Sequence, residues 1–142
     1  MQQEVVQPHC VFRPTVNTEV STAVLLSRFT GCEFAARSGG HAAFTGASSS
    51  PGGISIWFKD MNEVTLNKDK SVASIGPGNN WLSVYSALEP YGLATVGGRA
   101  SSIGVGGFVL GGGISYHSNL YGWSCDNVES FEVWLLSQHI VA

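Results

Sequence analysis

The 142-residue chain is 44% apolar and only 12% charged, with 18 glycines and a net charge of -3. Its length allows one domain, and its charged fraction is about half the usual ~25%. No Lys/Arg cluster is present, so neither a nucleic-acid partner nor an anionic membrane is expected.

"CVFRP" (10–14) reads as a short strand stopped by Pro14, and "NTEVSTAVLLSRFTG" (17–31) puts Val20, Ala23, Val24 and Leu26 at helical spacing. Asn17 or Thr18 is the expected cap of that helix and Gly31 its end. "CEFAAR" (32–37) is then a strand running into a glycine pair. "GISIWF" (53–58), "EVTLN" (63–67) and "SVASIG" (71–76) read as three more strands, with "NKDK" (67–70) as a polar hairpin turn. "NNWLSVYSALEPYG" (79–92) returns to the helical period through Trp81, Leu82, Val84, Tyr85 and Leu88. Glycines crowd residues 92–122, and "DNVESFEVWLLS" (126–137) closes as a strand. Strands on both sides of helices, without a regular strand–helix alternation, make the fold class α+β.

The N-terminus, "MQQEVVQPHCVFRP", lacks the basic end and apolar run of a signal peptide. The longest uncharged stretch is too laced with Gly and Ser to span a bilayer, so a soluble chain is expected. Cys10, Cys32 and Cys125 show no metal-ligand spacing and read as small buried apolar residues.

Two stretches have the composition to bring backbone N–H groups against an anion: "RSGGH" (37–41), and "GGRASSIGVGGFVLGGG" (97–113) with the hydroxyls of Ser101 and Ser102. Either alone is equally a plain turn between strands. Together, with Arg, His and Ser inside them, they point to a diphosphate. "SIGPGNNW" (74–81) imitates a dinucleotide fingerprint, but Trp81 stands where the third glycine is needed, so a tight turn capping the next helix is the better reading.

With "RSGGH", "GPGNNW", "LEPYGLATVGGRASSIGVGGFVLGGGIS" and "YGWSCDNV" in this order, residues 8–142 resemble the FAD-binding domain of berberine-bridge-enzyme-like flavin oxidases, most of all the fungal branch. The resemblance implies a p-cresol-methylhydroxylase (PCMH)-type domain over residues 1–142. Such a domain has a small strand-rich N-terminal subdomain followed by a mixed α/β subdomain. It implies FAD as cofactor, a small-molecule substrate, and hydride transfer to flavin N5. It assigns His41 as the residue joined to the 8α carbon of the flavin, a role for which a neutral imidazole is a competent nucleophile. Arg37, Ser38, Gly39 and Gly40 would wrap the pyrophosphate. Ser101, Ser102, Gly104 and Gly106 would lie along it and the ring edge. Gly111, Gly112 and Gly113 would let the backbone pass close by, Gly106 and Gly112 refusing any side chain. Asp126, Asn127 and Val128 would precede the strand by the adenosine.

Several positions depart from the pattern. Ala100 stands where many relatives have a second flavin-linking Cys, which excludes a second bond there. Ile103 falls at the position whose bulk goes with oxygen access, Val with oxidases and Leu with dehydrogenases. Trp57 replaces a usual strand Asp, and Trp134 a usual small aliphatic residue. Tyr116, His117 and Tyr121 are the nearby residues able to handle protons. The resemblance includes neither the substrate domain nor its base, so the chain alone is expected to be inactive. A truncated flavin domain without turnover is the alternative.

Overall fold

The structure, a computed structural model, describes residues 6–134 and 139–141. Strand β1 (Cys10–Phe12), helix α1 (Asn17–Thr30), strand β2 (Phe34–Arg37) and strand β3 (Ile54–Trp57) make the first unit. β3 lies between β1 and β2 and pairs with both in parallel, with Arg37 in register opposite Trp57. Parallel strands need a crossover between them, and α1 provides one. Ala23 and Val24 of α1 pack on Ile56, with Phe12, Ile54 and Phe58 around them. Side chains alternate along a strand, so Ser55 and Trp57 turn to the face away from α1.

The start of α1 differs from expectation. Its N-cap is Val16, and Glu19 folds back to accept from the Thr15 and Val16 N–H groups. Asn17 and Thr18 fall inside the first turn, where a carboxylate is also favoured by the helix dipole. Leu26 points outward and is exposed, while Ser27 takes the buried position and donates its hydroxyl to the Cys32 carbonyl.

The second unit follows a 3-10 turn, Phe58–Asp60. Strands β4 (Val64–Leu66) and β5 (Ala73–Ile75) pair antiparallel around the polar turn. Their apolar face closes on helix α2 (Trp81–Leu88) and helix α3 (Val105–Leu110). Trp81, Val84, Leu88, Val105 and Val109 form this second core. Leu82, on the outer side of α2, is exposed. Composition gave no sign of α3, because "VGGFVL" carries two glycines at a cost near 1 kcal/mol each. Tertiary contact compensates: Val105 and Val109, one turn apart, bury against α2, and Phe108 meets Trp81 edge-on at 5.2 Å.

A short helix α4 (Ser118–Tyr121) and a 3-10 turn at Ser124–Asn127 come next, so the last strand starts at Glu132 rather than at Asp126. β6 (Glu132–Trp134) and β7 (His139–Val141) pair antiparallel. The remainder of the expected strand, residues 135–137, lies outside the described residues. The architecture is α+β, as the resemblance implies. The cysteines correct their reading: Cys10 and Cys125 are exposed and Cys32 half-buried, all as free thiols. Cys10 sits on an edge strand and Cys125 on the outer side of a 3-10 turn, neither of which reaches a core. Among the described residues no helix is long and apolar enough to cross a membrane.

Candidate cofactor site

β2 ends at Arg37, and the chain then makes a turn with Gly40 at a φ of 67°. This loop crosses the seam between the two cores. The Ser38 hydroxyl donates to the Pro77 carbonyl at 2.6 Å and accepts the Gly106 N–H at 3.3 Å. The Ser38 carbonyl in turn accepts from the Trp57 indole at 3.1 Å. One serine therefore ties the parallel sheet to the turn before α2 and to the start of α3.

Beside it the two glycine stretches meet. A Cβ added to Gly39 would lie 2.4 Å from the Gly104 nitrogen, and one added to Gly104 would lie 2.2 Å from the Gly39 nitrogen. Backbone touches backbone here, and only glycine permits it on either side. Gly104 is held from behind. The N–H groups of Trp81 and Leu82, free donors at a helix start, are taken by the Ile103 and Ser101 carbonyls, and the Val105 N–H by the Asn79 carbonyl. The "GPG" turn is likewise absorbed by protein: Gly76 and Gly78 donate to Glu63 and Met61, and a Cβ on Gly78 would sit 2.0 Å from the Phe58 oxygen. It packs on backbone and caps α2, as its sequence suggested, with Asn80 accepting the Ser83 N–H.

Next to the junction lies a cavity of about 320 Å³, walled by Ile103, Gly107, Phe108, Gly111, Gly113 and Ile114, with Arg99 as its charged residue. Arg99 has no role in the sequence reading. Its signal was a lone cation between a glycine pair and two serines. Gly97 and Gly98 pass directly over the Trp81 indole, which fixes where Arg99 leaves the chain.

Arg37, Ser38, Gly39, Gly40, Ile103, Gly104 and Gly106 are thus brought together, with His41 exposed on the same loop. Ser101 and Ser102 are exposed on the turn before Ile103. Gly111 and Gly112 close α3, with Gly111 in the cavity wall. Gly112 has a φ of 93°, and a Cβ there would reach the Trp123 ring at 2.7 Å. At Gly106 an added Cβ would meet Ser38 at 3.4 Å, an ordinary contact with the protein's own atoms. Asp126 and Val128 have intramolecular partners: the Asp126 carboxylate accepts the Trp123 N–H at 2.8 Å, and Val128 packs on the Trp81 core. Tyr116, His117 and Tyr121 are exposed on and before α4, the His117 and Tyr121 rings edge to face.

The donor set fits a dinucleotide diphosphate. Arg37 Nε is buried without a hydrogen-bond partner, directly under the turn, where a Cβ on Gly40 would come within 2.8 Å of it. An orphan guanidinium N–H beneath a glycine turn at the carboxyl end of a parallel strand is an arrangement suited to an anionic oxygen.

Comparison with known proteins agrees with this geometry. A family model described as FAD binding domain matches residues 8–141. The chain is 42% identical over 140 residues to the FAD-dependent monooxygenase tpcD of Cochliobolus heterostrophus, covering 99% of this chain and 27% of that protein. It is 40% identical to the FAD-dependent monooxygenase FUP4 of Fusarium proliferatum, again covering 27% of the relative. Among solved structures, 6-hydroxy-D-nicotine oxidase from Arthrobacter nicotinovorans superposes with a TM-score of 0.92 at 26% identity, over 99% of this chain and 31% of that one. Xylooligosaccharide oxidase from Myceliophthora thermophila superposes at 0.88 and 26% identity, with the same coverage. The chain spans about a quarter of the length of the curated relatives it matches. It belongs to the FAD binding domain family, as a PCMH-type flavin domain of FAD-dependent oxidoreductases.

Proposed function

We propose that this chain holds FAD at the seam between its two cores, joined through His41 alone, as the flavin unit of an oxidoreductase acting on a small-molecule substrate. The observation that carries the reading is the backbone-on-backbone meeting of Gly39 and Gly104 at the end of β2. It leaves main-chain N–H groups and the buried Arg37 Nε beside a surface cleared of side chains. Arg37, Ser38, Gly39 and Gly40 would hold the diphosphate. Ser101, Ser102, Gly104 and Gly106 would run along it towards the ring, Ile103 and Gly111 would border the cavity, and Gly112 would let the backbone pass close by. Asp126 and Val128 would flank the adenosine side through backbone, since their side chains are engaged elsewhere.

When bound, FAD supplies at N5 an acceptor for a substrate hydride. His41, exposed on its loop, supplies the nucleophile for attachment. Attachment would exchange an imidazole N–H of His41 and a methyl C–H of the flavin for one N–C bond, with two protons released to solvent and dioxygen needed as the two-electron oxidant. Ala100 offers no second nucleophile. Turnover needs a base, and the cavity wall offers no acceptor for a proton: its one charged side chain, Arg99, carries N–H donors and no acceptor. We therefore expect this chain by itself to retain flavin without oxidising sugars or aromatic alcohols, the base belonging to the length of the relatives it does not span.

Acid precipitation tests the attachment. A yellow pellet that loses its colour in His41→Ala is the expected result, and free flavin in the supernatant of the unsubstituted protein refutes it.

A further inference from the structure

A second cavity, of about 390 Å³, lies at the other end of α2 from the glycine loops. The first-turn N–H groups of α2 are held by the Ile103 and Ser101 carbonyls. Its last turn, roughly 10 Å further along the helix axis, lines this cavity with Ala87 and Leu88, together with Val64 and Leu66 of β4. Tyr91 and Lys70 complete the wall, Lys70 Nζ standing 4.7 Å from the centre of the Tyr91 ring. The volume falls in the range of small-molecule sites, and apolar walls with a single charged group are what such sites use.

Lys70 is held in this wall against backbone preference. It ends a reverse turn, its N–H donating to the Asn67 carbonyl at 3.1 Å, and its φ is 60°. Turns favour glycine at that place, and a lysine there carries strain that glycine would avoid. Among the described residues it is the one non-glycine residue with a left-handed φ. Two local duties that could explain a lysine are already filled. The Leu88 and Glu89 carbonyls at the end of α2 accept the Leu93 and Gly92 N–H groups, so the helix end needs no cation to cap it. Asp69, the carboxylate of the turn, accepts the Ser71 N–H at 3.2 Å and the Ser71 hydroxyl at 2.8 Å, and among the described residues Lys70 forms no ion pair. The strained residue thus keeps an uncompensated ammonium over the Tyr91 ring, which attracts a cation without neutralising it.

We propose that this cavity is a binding site, separate from the cofactor site, for a small apolar carboxylate, whose hydrocarbon body lies against Val64, Leu66, Ala87 and Leu88 and whose carboxylate pairs with Lys70 Nζ. An ammonium beside apolar walls favours an ionised oxygen over a neutral amide, through a charge-assisted hydrogen bond. The same walls give an inorganic anion nothing to bury. The site stands independently of the FAD reading.

The probe is 2-naphthoate, with 2-naphthamide as its uncharged counterpart, titrated into the isotope-labelled full chain and followed by amide chemical shifts. Saturable naphthoate binding is expected, with shifts centred on residues 64–66 and 87–91 and an affinity on the order of tenfold above that of the amide. Lys70→Gly is expected to remove that preference, leaving naphthoate no tighter than the amide. Its melting temperature should stay at the parent's value or rise, because the turn gains the residue its φ favours. Ala87→Leu, which fills the cavity from a helix position that leucine suits, is expected to abolish binding of both compounds. Lys70→Gly decides the matter even where Ala87→Leu does not fold. Naphthoate that fails to saturate at millimolar concentration, equal affinity for naphthoate and naphthamide in the parent, naphthoate affinity unaltered in Lys70→Gly, or shifts confined to residues 37–41 and Arg99 each overturns the proposal and leaves the FAD reading standing.

Discussion

Gly39→Ala puts the description of the site under the sharpest test. The added methyl would stand 2.4 Å from the Gly104 nitrogen and 2.6 Å from its Cα, where non-bonded carbons settle at about 3.5–4.0 Å. The two loops must separate by roughly 1 Å, and neither side is a side chain that can rotate away. Overpacking costs about 1–3 kcal/mol. With rigid backbone on both sides the upper end applies, about 3 kcal/mol. Against a total stability of about 5–15 kcal/mol the variant still folds, with a melting temperature lower by on the order of 10 °C. Separation also draws the loop away from its shared N–H surface, so FAD retention falls further than stability does. Gly107→Ala is the control within the same glycine stretch: it lies in α3, no atom stands within 4 Å of its added methyl, and it is expected to stabilise by about 0.5–1 kcal/mol. Urea unfolding followed by circular dichroism, with a parallel FAD titration of Gly39→Ala, reads both effects. A Gly39→Ala protein with the parent's urea midpoint and the parent's flavin affinity would refute the backbone-to-backbone junction, and with it the cradle.

Gly106→Ala and Gly112→Ala should behave oppositely in thermal melts: the first has room beside Ser38, whereas the second meets the Trp123 ring at a φ of 93°, so equal melting temperatures would contradict the structure. Asn80→Ala removes the oxygen that accepts the Ser83 N–H at 2.9 Å and should cost about 1 kcal/mol in chemical denaturation. Glu19 is held below its ordinary value near 4.5, first by the Thr15 N–H and then by the Thr15 hydroxyl. A carboxyl depressed in the folded state adds stability above its unfolded value and loses it as pH falls through the folded one. The gap in urea midpoint between the parent and Glu19→Gln should therefore be widest near neutral pH and close in acid, and a gap independent of pH would rule out the Glu19 cap.

What the sequence determined by itself was set by local rules. Val20, Ala23 and Val24 share a helix face, and they are buried. A polar run divides β4 from β5, and Trp81 in place of a third glycine turned "GPG" from a nucleotide loop into a helix cap. The two glycine stretches were recognisable as backbone-lined segments because glycine's freedom belongs to the residue. Their meeting was not recognisable: Gly39 and Gly104 are far apart along the chain, and only the packing of two separate cores brings them together. The same limit hid α3, whose glycines oppose a helix locally while burial of Val105 and Val109 supports it. It also misplaced Leu26, Leu82 and the three cysteines, whose exposure depends on which neighbour covers them. In the sequence Trp57 stood out only as a replacement of a usual strand Asp. The tertiary structure made it the common neighbour of Arg13, Arg37 and Lys59, because the environment of a side chain comes from strands and turns that the local pattern does not name.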